Sequence, residues 1–265
     1  MAELRFTILG CGSSGGVPRL GGNWGECDPD EPRNRRQRCS MLVERITPDG
    51  TTTVLIDTSP DLRNQLLTAG VGALDAVIYT HDHADHVHGI DDLRMIVFNM
   101  RKRLPIWADA ATRETLAKRF GYTFEEVPGR GYPPILEMND MTGPVTVDGA
   151  GGKITLTPFL VEHGPIMANG IRVAGLVYLP DVSAMNDNAE AVCANLDIMV
   201  IDALRRAPHP THFHLEEALG WVEKLAPKRA VLTNLHNDLD YATLEAETPS
   251  HITPAYDGMQ LTLAD

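Results

Sequence analysis

The chain has 265 residues, 43% of them hydrophobic, which is ample for a buried core. With 23 Lys and Arg against 36 Asp and Glu, its net charge of −13 excludes a protein that grips long nucleic acid by general electrostatics. No apolar stretch approaches the roughly 18 residues of a membrane span, and the first residues lack a basic region followed by an apolar run, so a soluble, cytoplasmic protein with no membrane partner is expected.

Leu4 to Leu9 alternates apolar and polar residues as a strand does, then runs into Gly10-Cys11-Gly12-Ser13-Ser14-Gly15-Gly16-Val17-Pro18. Gly10, Gly12 and Gly15 match the dinucleotide fingerprint of an NAD-dependent dehydrogenase. That mechanism needs a helix to begin within the glycines, and Gly16-Val17-Pro18 followed by Gly21-Gly22 opposes one. Arg33, Arg35, Arg36 and Arg38 form a basic run in an acidic chain, and arginine suits bidentate contact with a phosphate. Cys11, Cys27, Cys39 and Cys193 are widely spaced with no CxxC pair, which argues against a disulfide framework.

Strands are expected near Ser40 to Arg45 and Thr51 to Asp57, then a helix from Asp61 to Ala69 that Gly70 terminates. Ala76-Val77-Ile78-Tyr79 reads as a short buried strand. Asp91 to Met100 reads as helix, Leu104 to Trp107 as strand and Ala111 to Phe120 as helix before Gly121. The Gly- and Pro-rich stretch between Gly129 and Gly152 predicts loops and short strands near a pocket mouth. Apolar runs follow at Ile154 to Val161 and Ile171 to Leu179. Leu215, Ala218, Leu219, Val222 and Leu225 share one face of a helix that feeds a strand over Arg229 to Thr233.

Thr80-His81-Asp82-His83-Ala84-Asp85-His86, directly after a strand, crowds three imidazoles into six residues and makes a metal site. His81 and His83 can converge on one ion. Asp85 and His86, further round the turn, call for a second, and two metals about 3.5–4 Å apart are a device for hydrolysis. Two ions need about six to eight protein ligands. Candidates stand past other strand-like segments: His163, Asp181 and His236. Asp57 ends another such segment and is placed to orient a ligand imidazole through its other ring nitrogen.

The order Asp57, HxHxDH, His163, Asp181, His236 resembles the metallo-β-lactamase superfamily, over nearly the whole chain. The resemblance implies a single domain over 1–265 with an α/β (α+β) fold: an αββα four-layer sandwich of two mixed β-sheets with helices outside. It implies that one ion takes His81, His83 and His163, that the other takes Asp85, His86 and His236, and that Asp181 bridges them. Many relatives carry His directly after the Thr of the last motif, where this chain has Asn234, so Asn234 and His236 compete for that place. Ligation by His and Asp suits two divalent ions, Zn, Mn or Fe. Some relatives build a structural zinc from cysteines near the position of Cys27.

The early glycine turn, the Arg-rich segment, His212 and Tyr256-Asp257-Gly258-Met259 look most like the branch holding the phosphoribosyl cyclic phosphodiesterases and ribonuclease Z. The expected activity is therefore metal-dependent hydrolysis of a small phosphodiester, a cyclic ribose phosphate or nucleotide-like compound, by attack of metal-activated hydroxide. His212 is the candidate general acid, with His214 its rival, and Asp85 also acts in proton transfer. Gly12, Ser13, Ser14 and Arg36 are the expected substrate contacts. The acidic balance counts against tRNA processing as in ribonuclease Z. A diiron redox relative normally has the HxExD form, where this chain has His83, and a metal-binding regulator without turnover is the third alternative. A homodimer is compatible with all of these readings.

Overall fold

The computed structural model describes residues 2–264 apart from Val127, Pro128, Arg130 and Tyr132. The strands in chain order begin with β1 (Glu3–Gly10), β2 (Ser40–Thr47), β3 (Gly50–Ile56), β4 (Ala76–Ile78), β5 (Leu104–Ala108) and β6 (Leu136–Asp140). There follow β7 (Val145–Gly149), β8 (Gly152–His163), β9 (Ile166–Val173), β10 (Leu176–Leu179), β11 (Ile198–Asp202), β12 (Arg229–Thr233), β13 (Ile252–Pro254) and β14 (Met259–Ala264). The helices are α1 (Leu62–Ala69), α2 (Ala84–Val87), α3 (Leu93–Met100), α4 (Ala110–Phe120), α5 (Asp187–Val192), α6 (Leu215–Leu225) and α7 (Tyr241–Glu247). Among the described residues no helix is long and apolar enough to cross a membrane.

The strands form two seven-stranded sheets, ordered β14-β1-β2-β3-β4-β5-β6 and β13-β12-β11-β10-β9-β8-β7. Both are mixed. In the first, β2 and β3 are antiparallel, while β3, β4, β5 and β6 run parallel. In the second, β8, β9 and β10 alternate direction and β10, β11, β12 and β13 run parallel. Parallel strands buried on both faces read as continuous apolar runs, as Ala76-Val77-Ile78 and Ile198-Met199-Val200-Ile201 do. Their carboxyl ends line up in register: Ile56 opposite Ile78 in the first sheet, Leu179 opposite Ile201 and Asp202 opposite Thr233 in the second. Side chains just past these ends are therefore delivered to one edge of their own sheet, where open parallel sheets carry their sites.

The chain partitions into two compact units, each discontinuous in sequence. One comprises the residues to Leu9, Ser40–Thr155 and those from Gln260 onward; the other comprises Gly10–Cys39 and Leu156–Met259. The first unit has its own core of Leu42, Leu55, Leu62, Leu66, Val77, Tyr79 and Ile106, among others. Within it α1 buries Leu62 and Leu66 and stops at Gly70, whose φ of 69° is the left-handed cap expected from sequence. The second unit buries Leu215, Ala218 and Val222 of α6 against Val177, Met199, Ile201 and Leu232. His214 caps that helix: its main-chain N–H donates to Glu217 Oε2 at 3.1 Å.

Two expectations about elements need adjustment. The run Ile171 to Leu179 is not one strand but a hairpin, β9 to β10, turned at Ala174-Gly175 with Ala174 at φ 50°. Asp91 to Met100 begins as a 3-10 turn and becomes α-helix only at Leu93. Between Gly129 and Gly152 the short strands β6 and β7 form as expected; Arg130 and Tyr132 lie outside the described residues.

Candidate metal centre

In the first unit, the chain leaves β4 through a bend at Thr80, and His83, itself extended, stands at the head of the single-turn helix α2, which carries Asp85 and His86. The three imidazoles cluster: ring centroids of His81 and His83 are 4.6 Å apart, those of His81 and His86 4.3 Å. The ligand atoms of His81 and His83 lie within 4.8 Å of each other. Asp85 Oδ2 is 3.7 Å from His86 Nε2. His81 and His86 are buried, whereas His83 is exposed.

Asp57 organises this cluster. Its carboxylate, fully buried, accepts from the Thr80 amide at 2.8 Å, from Thr80 Oγ1 at 2.7 Å and from His86 Nδ1 at 2.8 Å. Because Thr80 Oγ1 uses its hydrogen on Asp57, it can only accept from His81 Nδ1, 3.0 Å away. Both imidazoles are thus held as the Nδ1–H tautomer and present an Nε2 lone pair, the arrangement a metal-ligating histidine needs. Asp57 itself sits at φ 62°, a left-handed position that Asp tolerates better than bulkier residues.

In the second unit, His163 ends β8. Its Nδ1 lies 2.6 Å from the Thr211 carbonyl, which can only accept, so this ring too presents Nε2, 3.4 Å from Asp181 Oδ2. Next to them His212 Nδ1 meets Asp202 Oδ2 at 2.8 Å, and the rings of His163 and His212 are 4.6 Å apart. Burial pushes the Asp202 carboxyl up to about 7, against the pull of its hydrogen bond to His212. Asp202 was not among the residues expected from sequence, although the signal was available: it follows Ile198 to Ile201 as an acidic strand end, just as Asp57 and Asp181 follow theirs. His214, the rival acid, is engaged at Nδ1 by Glu217 at 2.6 Å.

The last ligand position differs from expectation. Past β12 the chain turns left-handed at Asn234, φ 60°, and it is the Asn234 carboxamide that reaches Asp181 Oδ1 (3.3 Å), Asp202 Oδ1 (3.0 Å) and His212 Nδ1 (3.2 Å). His236 is turned elsewhere. Its Nδ1 pairs with Asp238 at 3.1 Å and its Nε2 meets the Arg19 guanidinium, which only donates and so occupies the lone pair a metal would need. His236 is therefore corrected from metal ligand to partner of Arg19 and Asp238.

The expected phosphate contacts also change. Among the described residues no helix starts before the short 3-10 turn at Pro32–Asn34, so the fingerprint glycines face no helix terminus and the dehydrogenase reading fails. The Gly12 amide donates to Gln37 O at 2.7 Å and the Ser13 amide to Leu235 O at 3.3 Å. A Cβ at Gly12 would lie 2.9 Å from Arg36 Cβ and O, so glycine serves close packing there rather than an anion. Ser14 is exposed, and Ser13 Oγ is a buried hydroxyl with no hydrogen-bond partner among the described residues. Arg36, expected to grip a phosphate, is 2% exposed and donates to His236 O (3.2 Å), Leu239 O (2.7 Å) and Asn34 Oδ1 (3.2 Å). It ties loops together instead. Its Nη1 also lies 3.9 Å from Cys27 Sγ, and a guanidinium there opposes a structural zinc on Cys27.

The glycine turn is held by Asp257, which accepts from the amides of Cys11 (3.1 Å) and Gln37 (2.7 Å). Burial pushes its carboxyl up to about 7. An unfolded carboxylate titrates near 4, so the folded state binds the extra proton between about pH 4 and 7 and loses stability as pH rises through that window. Thermal unfolding of Asp257→Asn is expected to show a flatter dependence between pH 5 and 8 than the unsubstituted protein; an identical slope in both would remove Asp257 as its source.

Residues 52–234 match the beta-lactamase superfamily domain. The crystal structure of a new diphosphatase from the PhnP family is 34% identical, with a TM-score of 0.87 over 99% of this chain and 98% of that one. An octanoyltransferase of Porphyromonas gingivalis is 32% identical over 97% of this chain but 51% of its own length, and a ribonuclease Z of a Mycobacterium species is 27% identical over 65% of this chain and 62% of its own. The chain thus spans about half the length of the first of these two relatives and under two thirds of the second. The matched span contains the ligand candidates from His81 to Asp181, and the fold agrees across the whole chain with a relative sharing a third of its residues: the protein belongs to the metallo-β-lactamase superfamily.

Proposed function

We propose that this chain is a metal-dependent phosphodiesterase acting on a small phosphorylated substrate. His81, His83, Asp85, His86, His163 and Asp181 would hold two divalent ions. The observation that carries the phosphoester reading is the His212–Asp202 pair beside His163, a proton donor that cleavage of an unactivated ester requires. Similarity to a diphosphatase of the PhnP family supports the same reading.

The donor set fits such ions. It consists of imidazole nitrogens and carboxylate oxygens, with the rings of His81, His86 and His163 held by Nδ1 acceptors, and it suits Zn, Mn or Fe. When bound, a pair of ions lowers the pKa of water toward neutrality and offsets charge on the phosphoryl oxygens. The remaining chemistry belongs to side chains. Asp202 accepts from His212 Nδ1, fixes its tautomer and stabilises the imidazolium, so that Nε2 is the atom from which a proton passes to the departing alkoxide. Asp85, beside His86 Nε2, shares in proton transfer. Ser13 and Ser14 remain the contacts of the glycine turn proposed for the phosphate.

A small substrate is favoured over tRNA because a net charge of −13 repels a long polyanion. Elemental analysis of the purified protein, followed by assay on bis(p-nitrophenyl) phosphate and cyclic phosphodiesters, tests the proposal. Two ions per chain and turnover of at least one ester are expected, and His83→Ala should lose metal and activity together. Full metal content with no hydrolysis across the panel would point instead to a metal-binding regulator.

A further inference from the structure

We infer that the open cavity beside His83 receives the non-reacting half of the substrate, and that this half is a planar, unsaturated group bearing a second anionic charge, as in a nucleotide ester. The inference rests on the phosphodiesterase reading and specifies its substrate class. The cavity has a volume of about 680 Å³ and is lined by Asp82, His83, Ala84, His88, Arg119 and Phe120. The cavity is open to solvent on one side, and its volume is within the roughly 300–1,000 Å³ range of small-molecule clefts. A bare cyclic ribose phosphate would leave much of it empty.

Helix α4 gives the cavity its shape. Asp109 caps the helix by accepting from the Thr112 amide at 2.8 Å, and Thr112 and Leu116 bury one face. One turn apart, Thr115 Oγ1 donates to Asp82 Oδ2 at 2.6 Å and Arg119 Nη1 donates to the Asp82 carbonyl at 3.1 Å. The residue between His81 and His83 is thereby clamped to the helix that carries the cavity wall, so ligand histidine and wall keep a fixed separation. Phe120 meets His88 edge to face, with ring centroids 5.7 Å apart at 79°. These rings make an aromatic wall against which a base can pack, a contact that tolerates any base because every base has a π face.

Arg119 supplies the charge. It is exposed, it is the one arginine or lysine among the lining residues, and a guanidinium has five N–H donors in a planar fork matched to phosphate. In a chain of net charge −13 such a cation beside a ligand histidine selects for an anion on the distal part of the substrate. Its neighbour Lys118 is paired with Glu114 on the same helix at 2.6 Å and does not line the cavity.

The test compares three esters that release the same chromophore from the metal-loaded full chain: methyl p-nitrophenyl phosphate, thymidine 5′-(p-nitrophenyl phosphate), and the latter carrying a 3′-phosphate. A gain in kcat/KM of about tenfold is expected at each step, mainly through KM, given the strength of stacking and bidentate contacts. Phe120→Ala should remove most of the first gain and Arg119→Ala most of the second, while Lys118→Ala changes neither. Equal rates on all three esters, or gains that survive both substitutions, would overturn the subsite. If no ester is hydrolysed, the hydrolytic reading fails, and calorimetric titration with thymidine 3′,5′-bisphosphate decides the subsite separately. Binding weakened at least about fivefold in each variant upholds it; no binding, or equal binding in both variants, rejects it.

Discussion

Replacing His212 by alanine is expected to lower kcat on an alkyl phosphodiester by about 10²–10⁴-fold, the usual range for removing a general acid, while metal content stays unchanged. The geometry separates these two effects. His212 Nδ1 is occupied by Asp202 at 2.8 Å, which directs the ring's other nitrogen, not a whole ligand set, toward chemistry. His214 is placed differently: its Nδ1 is engaged by Glu217 and its Nε2 faces Glu216 Oε2 at 3.9 Å, whereas the His212 ring lies 4.6 Å from that of His163. The size of the loss should depend on the leaving group. An alkoxide needs a proton to depart, whereas p-nitrophenolate needs little help, so His212→Ala should lose far less on bis(p-nitrophenyl) phosphate. Asp202→Asn should mimic the loss on the alkyl ester, since a carboxamide in that place no longer enforces the tautomer, an error worth up to about 10⁴-fold in a Ser-His-Asp triad. Equal losses on both esters, or departure of metal from His212→Ala, would assign His212 to the ion rather than to the leaving group.

How much of this was readable from the chain depended on how local the signal was. His81, His83, Asp85 and His86 fall within six residues directly after an apolar strand, so their proximity follows from covalent connection alone. His163 and Asp181 are distant in sequence but share a rule, a polar residue just past a buried strand, and the same rule would have found Asp202. The end of β12 was harder. Asn234 and His236 are two residues apart, and only the left-handed turn at Asn234 decides which of them faces Asp181. Arg36 shows the opposite failure: a basic run in an acidic chain reads as a grip for phosphate, yet loop carbonyls at Leu239 and His236 draw this guanidinium inward. Contacts to main-chain carbonyls, such as Thr211 O to His163, leave no trace in sequence because every residue has one.

Asp57 offers the second large effect, and two substitutions there should separate folding from ligation. Asp57→Ala removes an acceptor shared by the Thr80 amide, Thr80 Oγ1 and His86 Nδ1, all buried. With about 1–3 kcal/mol for each buried donor left unsatisfied, a loss of several kcal/mol in stability is expected, together with a metal affinity reduced by about 10–100-fold. Asp57→Asn should behave differently. Asparagine also tolerates the left-handed backbone at φ 62°, and its carbonyl can still accept from the Thr80 amide. Its NH₂, however, would face His86 Nδ1 and can only donate, which forces that ring into the Nε2–H tautomer and blocks the lone pair that a metal requires. The expected outcome is a melting temperature lowered much less than in Asp57→Ala, with metal bound at His86 lost or weakened to a similar degree, as measured by thermal unfolding alongside elemental analysis. Asp57→Asn that retains the full metal complement at unchanged affinity would show that Asp57 serves the fold alone, and that the orientation of His86 is fixed by the α2 backbone rather than by this carboxylate.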